Sequence, residues 1–136
     1  LTLNNVGLND IFLVKFTSDG KVLWAKTTGS SHHDYPSGLI SDLGNNIYLI
    51  GEYNSNSNKN KITSEFFIQK YDTNGNMIWK SEEHRTETFD IAFGESIDSE
   101  YNLYVIGYFE GNIRFANTNF KGNGNKDLFV LRYNVK

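Results

Sequence analysis

Hydrophobic and polar residues alternate along much of the chain with the period of two that is typical of β-strands. The segment Ile11–Phe16 (IFLVKF) shows this alternation, Asp19-Gly20 predicts a tight turn after it, and Val22–Ala25 predicts a returning strand. No segment keeps apolar residues at the spacing i, i+3, i+4 and i+7 over three helical turns. The pattern therefore predicts an all-β fold built from short hairpins.

The hairpin pattern recurs at a fixed interval. Asp10–Trp24 (DIFLVKFTSDGKVLW) aligns without a gap on Glu65–Trp79 (EFFIQKYDTNGNMIW), 55 residues further along, and Asp127–Tyr133 (DLFVLRY) is a shorter copy. A second block repeats as well, because Asp42–Gly51 (DLGNNIYLIG) matches Asp98–Gly107 (DSEYNLYVIG) at an interval of 56 residues. A fixed period of this length indicates a repeat architecture.

The second block predicts a hairpin of its own in each repeat. It pairs Ser37–Ser41 with Ile47–Ile50, and its later copy pairs Glu95–Ile97 with Leu103–Ile106. Two hairpins give each repeat four antiparallel strands, which is the content of one blade of a β-propeller.

The combined pattern is acid-x-Phe-x-x-Lys-aromatic, then Asp/Asn-Gly, Trp, Asp and finally Gly-Asn-x-Tyr-x-x-Gly. The first copy carries it in Asp10, Phe12, Lys15, Phe16, Gly20, Trp24, Asp34, Asp42, Asn46, Tyr48 and Gly51, and the second in Glu65, Phe67, Lys70, Tyr71, Gly75, Trp79, Asp90, Asp98, Asn102, Tyr104 and Gly107. This pattern resembles the seven-bladed β-propeller repeat family of bacterial surface and secreted proteins. The resemblance implies a partial β-propeller with four-stranded antiparallel blades, two to three of them present, and an extracellular or cell-surface location. It implies a scaffold and does not imply one activity.

The repeats divide the chain into three parts, about two and a third repeats in all. Residues 1–26 are predicted to form one hairpin of a blade, residues 35–81 a complete four-stranded blade, and residues 89–136 three strands of a further blade. A blade buries its faces only against its neighbours. We therefore expect a piece of a longer chain or an assembly of copies, and favour the first. The predicted partners are further blades of the same chain or other copies of it.

Composition and charge exclude several functional classes. The formal net charge is −3, whereas binding to a nucleic-acid backbone needs a basic surface, so no nucleic-acid partner is predicted. The absence of Cys excludes disulfides, thiolate metal sites and a Cys nucleophile. No apolar run approaches the roughly 18 residues of a membrane-spanning helix, so membrane insertion is not predicted.

Two segments invite interpretation as metal sites. His32–Asp34 (HHD) combines imidazole with carboxylate, but adjacent residues of an extended chain point to opposite faces, and only Asp34 recurs, as Asp90. We expect this Asp to bond backbone N–H groups in a turn. The segment 72–83 partly mimics a calcium-binding loop, but Met77 occupies the position that needs Gly, so we favour a hairpin turn.

Acidic residues gather around Arg85, and paired carboxylates at a suitable separation can cleave glycosides. Nothing in the sequence fixes their separation, and we favour an exposed loop. These residues are Glu82, Glu83, Glu87, Asp90 and Glu95. Gly122–Gly124 is not a phosphate-binding loop, because no Lys-Ser/Thr pair follows it.

Two further residue types recur at the repeat period. Trp24 and Trp79 are interpreted as packing residues between blades rather than as sugar-stacking platforms. A cation also recurs on each copy. The recurring cations are Lys15, Lys70 and Arg132. They either pair with a repeated carboxylate, Asp42 or Asp98, or form a ring that faces a central channel, and we favour the pairing.

The sequence predicts no catalytic residue, no metal ligand and no cofactor, and it leaves the binding residues unassigned. Our hypothesis is a non-catalytic β-propeller scaffold or binding segment of a larger, extracellular or cell-surface bacterial protein that presents loops to a protein or glycan. Binding would lie in the segments that break the repeat, which are 54–64, 82–88 and 111–126. One alternative is part of a propeller enzyme, hydrolase or quinoprotein-like, whose site needs further blades. Another is a purely architectural spacer.

Overall fold

The computed structural model describes residues 2–56, 62–82, 90–115 and 118–136, and within them every regular element is a β-strand. The strands are β1 (Ile11–Phe16), β2 (Val22–Thr28), β3 (Asp34–Ser41), β4 (Ile47–Asn56), β5 (Ile62–Tyr71), β6 (Met77–Glu82), β7 (Asp90–Ile97), β8 (Asn102–Phe109), β9 (Asn112–Phe115), β10 (Thr118–Lys121) and β11 (Asp127–Asn134). The all-β prediction is confirmed. Among the described residues, no helix is long and apolar enough to span a membrane.

The strands form antiparallel sheets in chain order. β1 pairs with β2, β3 to β6 form a four-stranded meander, and β8 lies between β7 and β11 in a three-stranded sheet. The hairpin β9–β10 is a sheet of its own, inserted between β8 and β11. Antiparallel sheets were expected; their membership of a propeller stays a prediction.

Three turns share one hydrogen-bonding motif, which explains why Asp and Asn recur there. An Asp carboxylate accepts hydrogen bonds from both the backbone N–H and the side-chain amide of the Asn four residues later, at 2.8 or 2.9 Å. The pairs are Asp42–Asn46, Asp72–Asn76 and Asp98–Asn102. The Asp72 carboxylate, which would be the first ligand of a calcium loop, therefore holds the backbone of a turn, as the favoured interpretation expects.

The three larger sheets stack face to face around two apolar cores. The first core lies between the β1–β2 sheet and one face of the meander, and it buries Ile11, Leu13, Leu49, Phe67 and Tyr71. The second lies between the other face of the meander and the β7–β8–β11 sheet, and it buries residues that include Tyr48, Ile50, Phe66, Ile68, Leu103, Val105 and Phe129. The meander is thus covered on both faces, and its edge strand β3 runs beside β7.

A repeated glycine allows an aromatic ring to cross a neighbouring strand. Gly51 of β4 pairs with Phe67 of β5, and Gly107 of β8 pairs in the same way with Phe129 of β11. A Cβ at Gly51 would lie 2.7 Å from Cζ of the Phe67 ring, closer than atoms in contact can approach. The Gly and the Phe of the repeat are therefore two halves of one packing unit.

Candidate functional site

The recurring Lys joins each sheet to the next. Lys15 Nζ donates a hydrogen bond to the carbonyl oxygen of Thr73 at 3.0 Å, and Lys70 Nζ donates one to the carbonyl oxygen of Val135 at 2.7 Å. Both acceptors lie two residues after the recurring aromatic residue of the repeated motif. The same bond therefore recurs at both contacts between the stacked sheets.

Lys70 also contacts the carboxylate of its own sheet. Its Nζ lies 3.9 Å from Asp42 Oδ2 and 5.1 Å from the centroid of the Tyr48 ring, and the residue is only 7% exposed. In the following sheet, Arg132 donates to Asn102 Oδ1 at 3.0 Å, the Asn that Asp98 holds in its turn. Pairing with a carboxylate is confirmed for Lys70. Its burial does not suit a cation that faces an open channel.

The protonation states of this cluster do not suit proton transfer. Burial raises the pKa of Asp42, but the hydrogen bonds from Asn46 and Tyr48 outweigh it and hold that pKa below its ordinary value of 3.8. Burial and the bond to Asp42 raise the pKa of the Tyr48 phenol far above its usual range. Hydrogen bonds from the Asn of each turn likewise lower the pKa values of Asp72 and Asp98. At neutral pH these carboxylates stay charged and the phenol stays neutral.

Both Trp residues lie at contacts between sheets. The Trp24 indole lies against Gly75, and its Nε1 donates to the Thr73 carbonyl at 3.1 Å. Gly75 has a φ of 77°, which suits glycine and leaves room for the ring. Trp79 packs against the second core. The predicted packing role is therefore favoured over a sugar-stacking role.

The segment His32–Asp34 leads from a bend into the strand β3, and His33 forms a β-bridge with Asn9. Asp34 is buried and accepts hydrogen bonds from the backbone N–H and the hydroxyl of Ser30 at 2.6 and 2.7 Å, as predicted for this carboxylate. His32 Nδ1 lies 3.0 Å from the hydroxyl of Ser31, while His33 is exposed. Within the described ranges, no group of three His, Cys, Asp or Glu side chains could hold a metal ion.

The acidic cluster lies largely outside the described residues. Residues 83–89 are not described, and they include the segment around Arg85 and the last position of the calcium-loop-like segment 72–83. Of the rest, Asp90 is buried and Glu95 extends its carboxylate over Gly38 of β3. A bulge between Ala92 and Gly94 places Asp90 opposite Phe109 and Glu95 opposite Val105, so both lie on the same side of the sheet. Their positions are four residues apart along β8, about 13 Å, which is wider than the spacing of a pair of catalytic carboxylates.

The described segment that departs most from the repeat is the hairpin β9–β10. Its inner side carries Ile113, Phe115 and Phe120. The Phe115 ring lies 6.0 Å from Phe66 and 5.5 Å from Phe129, centroid to centroid, so this hairpin is fixed to the second core. The predicted segment 111–126 therefore contains a hairpin that packs on the second core. Of the other two repeat-breaking segments, residues 57–61 and 83–88 lie outside the described residues.

The outer side of this hairpin is a continuous polar surface, which we call the hairpin outer face. Arg114 pairs directly opposite Asn119, and Asn112 opposite Lys121. All four residues are exposed and lie on the same side of a two-stranded sheet. The alternation of polar and apolar residues in NIRF and TNFK is the sequence signal for this face.

An apolar cleft of about 370 Å³ lies beneath the hairpin, between Phe120 and the strand β11. Its walls include Phe115, Phe129, Leu128 and Val130. The cleft therefore offers mostly apolar contact rather than a set of catalytic groups.

No protein-family model matches this chain, and the search of curated proteins gave no match.

Proposed function

We propose that this chain is a non-catalytic β-propeller scaffold segment of a larger extracellular or cell-surface bacterial protein. The stacking of successive antiparallel sheets supports the scaffold role, as do the Lys bonds that join them. The recurring polar residues make structural bonds within turns or between sheets, which leaves the departures from the repeat to carry binding.

We further propose that the hairpin outer face binds a glycan or protein ligand. The observation that carries this proposal is the amphipathic hairpin itself, with aromatic rings anchoring one side and polar side chains exposed on the other. The amides of Asn112 and Asn119 both donate and accept hydrogen bonds, as sugar hydroxyls and peptide groups require. Arg114 and Lys121 add cations suited to carboxylate groups of an acidic sugar or peptide.

A glycan array followed by calorimetry tests this assignment. The wild-type chain and the double variant Arg114→Ala/Asn119→Ala are compared, with Lys21→Ala in the exposed β1–β2 turn as the matched control. We expect the double variant to lose at least tenfold in affinity for a glycan that the wild type binds, about 1.4 kcal/mol, and the control to bind normally. Unchanged binding by the double variant would show that another surface is the site. Absence of binding on both the glycan array and an array of acidic peptides would refute the ligand proposal.

A further inference from the structure

Both contacts between the stacked sheets join the same two faces of the repeat. We call the side of each sheet that bears the recurring cation the cation face, and the opposite side the aromatic face. The strand residues of the cation faces are Ile11, Leu13 and Lys15; Phe66, Ile68 and Lys70; and Leu128, Val130 and Arg132. Those of the aromatic faces are Phe12, Val14 and Phe16; Phe67, Gln69 and Tyr71; and Phe129, Leu131 and Tyr133. At each contact, the cation face of one sheet packs on the aromatic face of the next.

The last cation face is uncovered. Leu128 and Val130 are 78% and 71% exposed, whereas Phe66 and Ile68, at the same positions of the preceding sheet, are fully buried. The apolar cleft beneath the hairpin opens along this same pair of residues. The third sheet therefore presents the apolar surface that its predecessor buries.

The first aromatic face is uncovered as well. Phe12 is 69% exposed, and Phe16 is exposed beside it, whereas Phe67 and Tyr71 are buried at the same positions of the next sheet. Leu23, on the paired strand β2, adds a further exposed apolar side chain. The two ends of the stack thus expose the two different halves of one interface, and each exposed apolar patch marks a site of association.

The hydrogen bond that joins successive sheets also has a donor position at one end of the stack and an acceptor position at the other. Arg132 is exposed and holds the position from which Lys15 and Lys70 reach a carbonyl of the next sheet. The position in the first sheet that corresponds to the acceptor Thr73 is Ser18, which is exposed in the β1–β2 turn.

We propose that the cation face of the third sheet binds the aromatic face of the first sheet in a second copy of this chain, with Arg132 donating to the Ser18 carbonyl of that copy. This inference rests on the proposed repeat scaffold: for the 136-residue chain, a second copy takes the position that a further repeat of a longer protein would occupy. Because the contact joins two different faces, it is heterologous, and successive copies build either a closed ring or an open filament.

Sedimentation velocity of the whole chain over a wide concentration range tests the proposal. The wild type is expected to exceed the 15.5 kDa of one chain as concentration rises. Phe12→Asp places a charge on the aromatic face, and Leu128→Asp places one on the cation face. Each contact needs one intact face of each kind, so each variant alone should stay monomeric. Their mixture should form a dimer of one copy of each, because each variant keeps the face that the other lacks. The matched control is Leu43→Asp, a 73% exposed residue in the β3–β4 turn, which should associate like the wild type.

Three results would overturn the proposal: a wild-type monomer at every concentration, equal loss of association in Leu43→Asp, or failure of the two blocked variants to form a dimer. Circular dichroism and thermal melting verify that each variant folds. Where a charged variant does not fold, the Asn substitution at the same position replaces it: Phe12→Asn, Leu128→Asn or Leu43→Asn. Phe12→Asp leaves the hairpin outer face intact, so its glycan binding should equal that of the wild type. A wild-type chain that stays monomeric at every concentration but still binds the glycan would therefore refute this inference and leave the proposed ligand site intact.

Discussion

Replacing Lys70 by Met tests whether the recurring cation holds neighbouring sheets together. The substitution keeps an unbranched apolar stem of similar length, so it removes the ammonium group without opening a large cavity. It leaves the Val135 carbonyl without its 2.7 Å donor and takes the nearest cation away from Asp42. The measured loss therefore reports the charge-assisted contact rather than lost packing.

The magnitude follows from burial. A hydrogen bond to a charged group contributes about 1.5–3 kcal/mol, and a buried acceptor left unsatisfied adds to the loss. Asp42 keeps its bonds from Asn46 and Tyr48, which limits the penalty at the carboxylate. We expect Lys70→Met to lower the free energy of unfolding by about 2–3 kcal/mol. Lys15→Met is the matched control: it removes the equivalent bond, but one that is exposed to solvent, so about 0.5 kcal/mol is expected.

Urea unfolding followed by tryptophan fluorescence and far-ultraviolet circular dichroism measures both variants. With a denaturant dependence of about 1.5 kcal/mol per molar urea, the midpoint should fall by roughly 1.3–2 M for Lys70→Met and by about 0.3 M for Lys15→Met. If Lys70→Met unfolds within about 0.5 kcal/mol of the wild type, the cation does not stabilise the contact between sheets. Equal losses in the two variants would show that burial does not set the strength of the bond.

Two further predictions concern the repeated Gly and the turn carboxylates. Gly51→Ala should lower the free energy of unfolding by about 1–3 kcal/mol, since its Cβ would lie 2.6 Å from the Tyr35 carbonyl oxygen and 2.7 Å from the Phe67 ring. The control Gly124→Ala, whose Cβ meets open space, should melt like the wild type. Equal melting temperatures for the wild type and both variants would contradict the close approach at Gly51. The pKa of Asp42 is lower in the folded chain than its ordinary 3.8, so its stabilising contribution is complete above that value and is lost as pH falls through the folded pKa. Urea titrations between about pH 5 and pH 2 should therefore show a smaller acid-induced loss for Asp42→Asn than for the wild type, and identical slopes would refute this linkage.

The strands could be predicted from the sequence because their signals are local. Alternation in Ile11–Phe16 and the turn at Asp19-Gly20 correspond to the observed hairpin of β1 and β2. The partners of the cations could be predicted only in part. Asp42 could be predicted as a partner because this carboxylate recurs in the sequence. The Val135 carbonyl could not, because a main-chain acceptor does not depend on the residue type at its position.

The sequence indicated the segment that carries the candidate site, but not the pairing and packing of its residues. Residues 111–126 stood out because they interrupt the repeat. The pairing of Arg114 with Asn119 depends on strands of only four residues, too short for their alternation to be decisive. The contact of Phe115 with Phe66 depends on how the sheets stack, which no local pattern records.

The bonds from Lys15 and Lys70 end on main-chain carbonyls, and this has a consequence for how such a chain changes over generations. Thr73 and Val135 have unrelated side chains, yet both supply the acceptor. Every amino acid carries a backbone carbonyl, so the receiving position places no demand on residue identity. A duplicated, deleted or exchanged repeat therefore meets a compatible neighbour without any compensating substitution, and adjacent repeats can drift apart in sequence while the junction between them persists.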